Sequence, residues 1–223
     1  MCVKENVEKI NANIVQACKR SNRNPEEITI IGVTKYVTIE RTKETLAAGV
    51  TNIGENRTEG FLEKYRHIEK QANWHFIGTL QSRKTRDVVN KVTAIHSLDR
   101  LSLAKEIQKR AEKTVDCFIQ VNISGETSKH GIQPDQVHSF LHKLETFNKI
   151  RVIGLMTMAP YTNDEQEIRG VFSDLRMLRD EIIAENLSYA PCKYLSMGMS
   201  NDYEIAIEEG ATHIRLGSKL VGP

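Results

Sequence analysis

Residues 28–37 read ITIIGVTKYV, and the way this stretch ends decides between two architectures. Ile28, Ile30, Ile31 and Val33 make a short β-branched run, the pattern of a strand buried on both faces. An open doubly wound sheet would follow its first strand with a glycine-rich phosphate turn. Here a single glycine, Gly32, stands before Val33, Thr34 and Lys35. That ending favours a closed barrel over the open sheet.

The pattern repeats outward along the chain. Seven further apolar runs are Thr51 to Gly54, Asn73 to Gly78, Thr93 to Ser97, Val115 to Val121, Ile150 to Met156, Lys193 to Met197 and Thr212 to Gly217. Amphipathic segments separate them, such as Ala104, Ile107, Ala111 and the stripe Ile168, Phe172, Leu175, Leu178, Ile182. Parallel strands need crossover helices, and closure removes the sheet edges. The fold class is therefore α/β, a single (β/α)8 TIM barrel over residues 1–223. An extra helix precedes it, because Val3, Val7, Ile10, Ile14 and Cys18 recur at helical spacing.

Composition narrows the function. Thirty-one Lys and Arg against 29 Asp and Glu leave a formal charge of +2, and the basic residues are scattered. No nucleic-acid partner is expected from such a distribution. No apolar stretch reaches the roughly 18 residues of a membrane span, and no signal-peptide core is visible, so the expectation is no membrane partner and a cytoplasmic protein. Cys2, Cys18, Cys117 and Cys192 lie far apart and read as reduced thiols. The histidines are read as forming no His-x-x-x-His helix pair and no His/Cys cluster at zinc spacing, so no metal is expected.

Parallel barrels carry their sites at the C-terminal ends of the strands. Those ends supply Thr34 and Lys35, Glu55 and Asn56, His75 and Gly78, His96 and Ser97, Asn122, Met156 and Thr157, Ser196 and Met197, and Arg215, Gly217 and Ser218. Lys35 follows a buried strand, so its stem should begin inside the barrel mouth, where desolvation frees an amine for Schiff-base chemistry. The alternative is a surface lysine that starts a loop. Ser200-Asn201-Asp202, after the turn SMGMS, should open a helix able to hold an anion. Gly217-Ser218 would complete a phosphate cup, since barrels often bind phosphate after strands seven and eight. Arg215 shares a strand face with Gly217; it either pairs with Glu55 or another acid, or faces the ring nitrogen of a cofactor.

The motifs IIGVTKYV around Lys35, GENR at 54–57, WHFIGTLQSRK at 74–84, IHSLDR at 95–100, VNISGETSKHGI at 121–132, GLMTMAP at 154–160 and LSMGMSNDYEIAIEEGATHIRLGS at 195–218 resemble the YggS/PROSC family of pyridoxal phosphate homeostasis proteins. The resemblance spans nearly the whole chain. It implies an alanine-racemase-like barrel that binds pyridoxal 5'-phosphate (PLP) as a Schiff base on Lys35. Ser200, Gly217 and Ser218 match the phosphate positions and Arg215 the pyridine-nitrogen partner; Asn56 and His75 match motif positions whose contacts are open. The implied role is buffering and delivery of PLP by a monomer, with apo PLP-dependent enzymes as recipients and no established reaction.

A PLP-dependent amino-acid racemase is the alternative. Racemases of this kind take a second base, a tyrosine, from a further domain of a partner chain, and none is expected here. Arg215 would also keep the ring nitrogen unprotonated and weaken it as an electron sink. Lys129, in the loop SGETSKHGI, is either an ordinary solvated lysine or a residue that meets cofactor leaving the mouth.

Overall fold

The computed structural model describes residues 2–126 and 129–222. Its eight strands are β1 (Thr29–Val33), β2 (Asn52–Glu55), β3 (Asn73–Phe76), β4 (Ala94–Leu98), β5 (Val115–Gln120), β6 (Ile150–Met156), β7 (Tyr194–Ser196) and β8 (His213–Leu216). They close into one barrel in sequence order, every neighbouring pair parallel. Closure is made by β8 on β1, where Ile31 stands opposite Arg215 and Gly32 opposite Leu216. Each expected apolar run overlaps its strand, with ends that agree to within two residues; β2 and β4 each run one residue beyond the expected end, to Glu55 and Leu98.

Helices cover the outside: α2 (Ile39–Ala47), α3 (Thr58–Ile68), α4 (Thr85–Val88), α5 (Leu101–Arg110), α6 (Val137–Leu144), α7 (Glu165–Ala184), α8 (Tyr203–Glu208) and α9 (Ser218–Val221), with α1 (Val3–Arg20) ahead of β1. In α7 the stripe Ile168, Phe172, Leu175, Leu178 and Ile182 is buried, as its 3.6-residue period requires. Asp164 starts that helix by accepting the backbone N–H groups of Gln166 and Glu167 at 2.9 and 3.2 Å.

The extra helix has a packing reason. With six and four residues, α8 and α9 are too short to cover the barrel wall alone. α1 lies against both and buries Val3, Val7, Ile10, Ile14 and Cys18. Asn6 donates to the Leu220 carbonyl at 3.0 Å and Asn13 to the Tyr203 hydroxyl at 2.9 Å, so polar bonds fix the register of this contact. Among the described residues, no helix is long and apolar enough to cross a membrane.

Inside the barrel a small apolar group, Ala94, Phe118 and Met156, lies beside polar side chains from β3, β4, β7 and β8. Cys18, Cys117 and Cys192 are buried free thiols and Cys2 is exposed. One expectation fails: His138 and His142 stand one turn apart on α6, a His-x-x-x-His pair after all. His138 pairs with Glu185, and His142 lies 3.7 Å from the same carboxylate. No group of three His, Cys, Asp or Glu side chains among the described residues is arranged to hold a metal ion.

Candidate functional site

The mouth at the C-terminal strand ends collects the expected residues, with two corrections. β1 stops at Val33, and the Val37 N–H donates to the Thr34 carbonyl at 3.1 Å, closing a turn that carries Lys35 outward. Lys35 is therefore exposed, not desolvated, and its ammonium lies 4.9 Å from the centroid of the Tyr36 ring. The second correction concerns Glu55, which does not pair with Arg215.

Glu55 is 1% exposed, and its Oε1 accepts both the Thr34 hydroxyl and the Lys64 ammonium at 2.6 Å. Lys64, from α3, also donates to the Thr34 carbonyl. Thr34 is thus gripped at hydroxyl and carbonyl by a buried ion pair, which fixes the residue preceding Lys35. Sequence reasoning missed Lys64 because a lysine on an amphipathic helix is ordinarily solvated.

Arg215 is 4% exposed and bonds to two neutral oxygens: Nη1 donates to Ser196 Oγ and Nη2 to the Thr157 carbonyl, both at 2.8 Å. Burial lowers its pKa to about 10, opposed by the charge of Asp202, so it stays a cation at neutral pH. A guanidinium has about five N–H donors, so several remain for a ligand.

The turn after β7 and the start of α9, the two segments expected to hold an anion, lie side by side, and the helix after β7 is shorter than the sequence suggested. α8 begins only at Tyr203, and Asp202 turns its carboxylate back to accept the Met199 N–H. Gly198 makes that turn possible: its φ is +90°, and a Cβ would lie 2.5 Å from Ala206 Cβ. Ser200 Oγ accepts the Lys219 N–H at 3.3 Å, joining the turn after β7 to the start of α9. Its hydroxyl hydrogen remains to be donated. Ser218 is exposed at the first position of α9, where a backbone N–H has no partner within the helix.

Gly217 is not required by the protein's own packing. A Cβ there would meet nothing nearer than Val33 Cβ and carbonyl at 3.8 Å, and its φ is −105°. Open space over a backbone beside two donors suits a bulky anion. Asn56 supplies a second sign of a missing partner, since its Oδ1 is enclosed with no hydrogen-bond partner. Gly78 lets that segment close, because any Cβ would collide with the Asn56 carbonyl.

His75 is placed differently from a direct contact. It is 4% exposed, with Nδ1 2.9 Å from His96 Nε2 and Nε2 3.1 Å from Asn52 Oδ1, so both ring nitrogens are engaged within the barrel. Burial lowers its pKa to about 3, helped by His213, and that of His213 to about 4. His96, stacked on Phe118 at 4.1 Å, is held well below its ordinary value by burial first. Lys129 pairs with Glu126 at 2.5 Å and reaches the Met158 carbonyl at 3.4 Å; Thr127 and Ser128 of its loop lie outside the described residues.

A closed parallel barrel with a lysine after β1, a buried arginine on β8 and Ser200, Gly217 and Ser218 grouped after β7 and β8 defines a class, and comparison places the chain in it. The family model for the alanine racemase N-terminal domain matches residues 6–223, and the chain belongs to that family. Similar chains bear the name pyridoxal phosphate homeostasis protein: that of Aquifex aeolicus is 40% identical over 98% of this chain and 96% of its own. That of Pseudomonas aeruginosa is 34% identical over 99% and 95%. PipY of Synechococcus elongatus PCC7942, solved with PLP bound, is 28% identical with a TM-score of 0.85 over 99% of this chain and all of its own. Alanine racemase from Corynebacterium glutamicum shares the fold at 12% identity and TM-score 0.76, over 98% of this chain and 60% of the racemase.

Proposed function

We propose that this chain binds PLP over one domain spanning residues 1–223 and serves in PLP homeostasis, buffering the cofactor and delivering it to apo PLP-dependent enzymes. The carrying observation is that three differently suited groups stand on adjacent strand ends. Lys35 follows β1, Arg215 lies on β8 beside it, and the space over Gly217 opens next to Val33. In this reading Lys35 holds the aldehyde carbon as a Schiff base. Ser200, Gly217 and Ser218 take the phosphate, Arg215 donates to the ring nitrogen, and the enclosed Asn56 Oδ1 accepts a donor from the ligand. His75 acts through other residues. PLP supplies an electrophilic carbonyl and an electron-withdrawing ring; the chain orients both.

A carrier role without catalysis fits the names of the relatives and the chemistry of Arg215, which donates a hydrogen bond where a carbanion reaction gains from an acid. We further propose a monomer in the cytoplasm. The test is direct. PLP is added to the purified protein, the visible absorbance is recorded, and borohydride reduction is followed by peptide mapping. Label on the peptide containing Lys35 is expected; a colourless protein, or label on another lysine, overturns the reading.

Two substitutions probe the cup. Ser200→Ala removes a donor to a charged group and should weaken PLP binding by about 2 kcal/mol. Gly217→Val should weaken it further, because its side chain fills ligand space, while the melting temperature without PLP stays near that of the wild type. Unchanged affinity in both, read by absorbance titration, would move the phosphate elsewhere.

A further inference from the structure

A continuous line of polar side chains crosses the barrel interior to end on Arg215. Arg215 Nη1 is 2.8 Å from Ser196 Oγ, which is 2.9 Å from His96 Nδ1. His96 Nε2 is 2.9 Å from His75 Nδ1, and His75 Nε2 is 3.1 Å from Asn52 Oδ1. The four links join β8, β7, β4, β3 and β2. Ser196, His96, His75 and Arg215 are all buried.

The ends of this line fix its direction. Arginine offers donors only, and the Asn52 oxygen only accepts. Ser196 therefore takes a hydrogen from Arg215 and gives its own to His96 Nδ1. His96 then carries its hydrogen on Nε2 and gives it to His75 Nδ1, and His75 carries its hydrogen on Nε2 and gives it to Asn52. The opposite order would set His75 Nε2 without a hydrogen against the Asn52 oxygen, two acceptors at 3.1 Å. Only neutral imidazoles fit this order, since a second ring hydrogen has no acceptor within it.

We propose that Ser196, His96, His75 and Asn52 are positioning residues that fix the Arg215 guanidinium for its hydrogen bond to the ligand's ring nitrogen. The proposal rests on the reading of Arg215 given above. Two bonds on different nitrogens, one to Ser196 and one to the Thr157 carbonyl, hold the guanidinium plane. Without the first, the plane pivots about the second. Buried polar groups this numerous cost desolvation that apolar side chains of similar size would avoid. A line in which each bond has one allowed direction gains conformational definition in return, and it transmits a change at Asn52 to Arg215 with no contact between them.

The experiment has three arms. In the protein without PLP, nitrogen-15 NMR of the histidine rings should show His75 and His96 both with the hydrogen on Nε2; a hydrogen on Nδ1 of either overturns the direction. On addition of PLP, the ring resonances of both histidines should shift although their ring nitrogens are already engaged within the line, and unchanged resonances with PLP bound overturn the coupling. In the isosteric variant Asn52→Asp, the carboxylate favours a charged His75, which turns His96 round so that its Nδ1–H donates to Ser196 Oγ and competes with Arg215 Nη1 for that oxygen. PLP binding should weaken about tenfold, the effect of one hydrogen bond, and the visible band of bound PLP should move at a fixed neutral pH. Wild-type affinity and band in a folded Asn52→Asp overturn the proposal. Wild-type protein that shows the expected ring hydrogens but binds no PLP would overturn the ligand assignment and leave the line intact.

Discussion

Lys35→Ala should leave no borohydride-reducible link to PLP while folding as the wild type does. Lys35 is exposed and carries no core contact, so its truncation removes the amine and little else. The anion cup and Arg215 remain, so PLP should still bind reversibly, but without a covalent bond. Ligand that binds only the folded state stabilises it by about 2.7 kcal/mol at 100 times its Kd. Wild type should therefore melt higher when PLP is added, and the variant should lose most of that rise at the same PLP concentration. Lys64 is no substitute, because its ammonium is spent on Glu55 and the Thr34 carbonyl. Reduction that persists in Lys35→Ala would point to Lys129 or another exposed amine and would refute the assignment of the bound aldehyde to residue 35.

Acidification should unfold the protein well above the pH at which most carboxylates are protonated. His75 and His213 have folded pKa values depressed from 6.5 to about 3 and about 4, and His96 is held low as well. A depressed histidine contributes stability that is complete above the unfolded value near 6.5 and is lost as pH falls toward the folded value. At about 1.4 kcal/mol per pKa unit, His75 and His213 each forfeit about 3 kcal/mol between pH 7 and pH 4. Unfolding near pH 5 should take up about three protons, one for each of His75, His96 and His213. Domains of this kind are stable by about 5–15 kcal/mol, so the loss consumes much of the total. Denaturant midpoints measured from pH 7 to pH 4 check this, and a flat profile down to pH 5 would show that the rings are not buried neutral.

The barrel was legible because its signal is repeated. Eight apolar runs with helical segments between them leave few alternatives, and the C-terminal strand ends then select Lys35, Arg215 and Gly217 without reference to contacts. What the sequence withheld depends on partners far along the chain. Lys64 reaches Thr34 thirty residues away, and His96 meets Ser196 a hundred residues away. Both histidines and Ser196 stood among the strand ends, yet periodicity says only which face a residue takes, not which neighbour it bonds. The exposure of Lys35 was missed for a local reason: the turn closed by Val37 carries no glycine or proline to announce it. The His138–His142 pair is readable from its spacing alone.

The attachment of α1 to α8 and α9 sets the order in which the cup comes into being. Asn6 bonds to Leu220 and Asn13 to Tyr203, so α8 and α9, which flank Ser200, Gly217 and Ser218, are backed by the opposite end of the chain. β1 likewise finds its second neighbour only when β8 arrives, as with Thr29 opposite His213. Contacts this remote form late, after loop closure has been met by more local pairings. During synthesis the first strands and Lys35 leave the ribosome long before residue 219 does, so a nascent chain carries the amine without the pocket. Under the proposed assignment of the phosphate to Ser200, Gly217 and Ser218, its capture waits for residue 219, so a growing chain would lack the complete site as a template for its own folding.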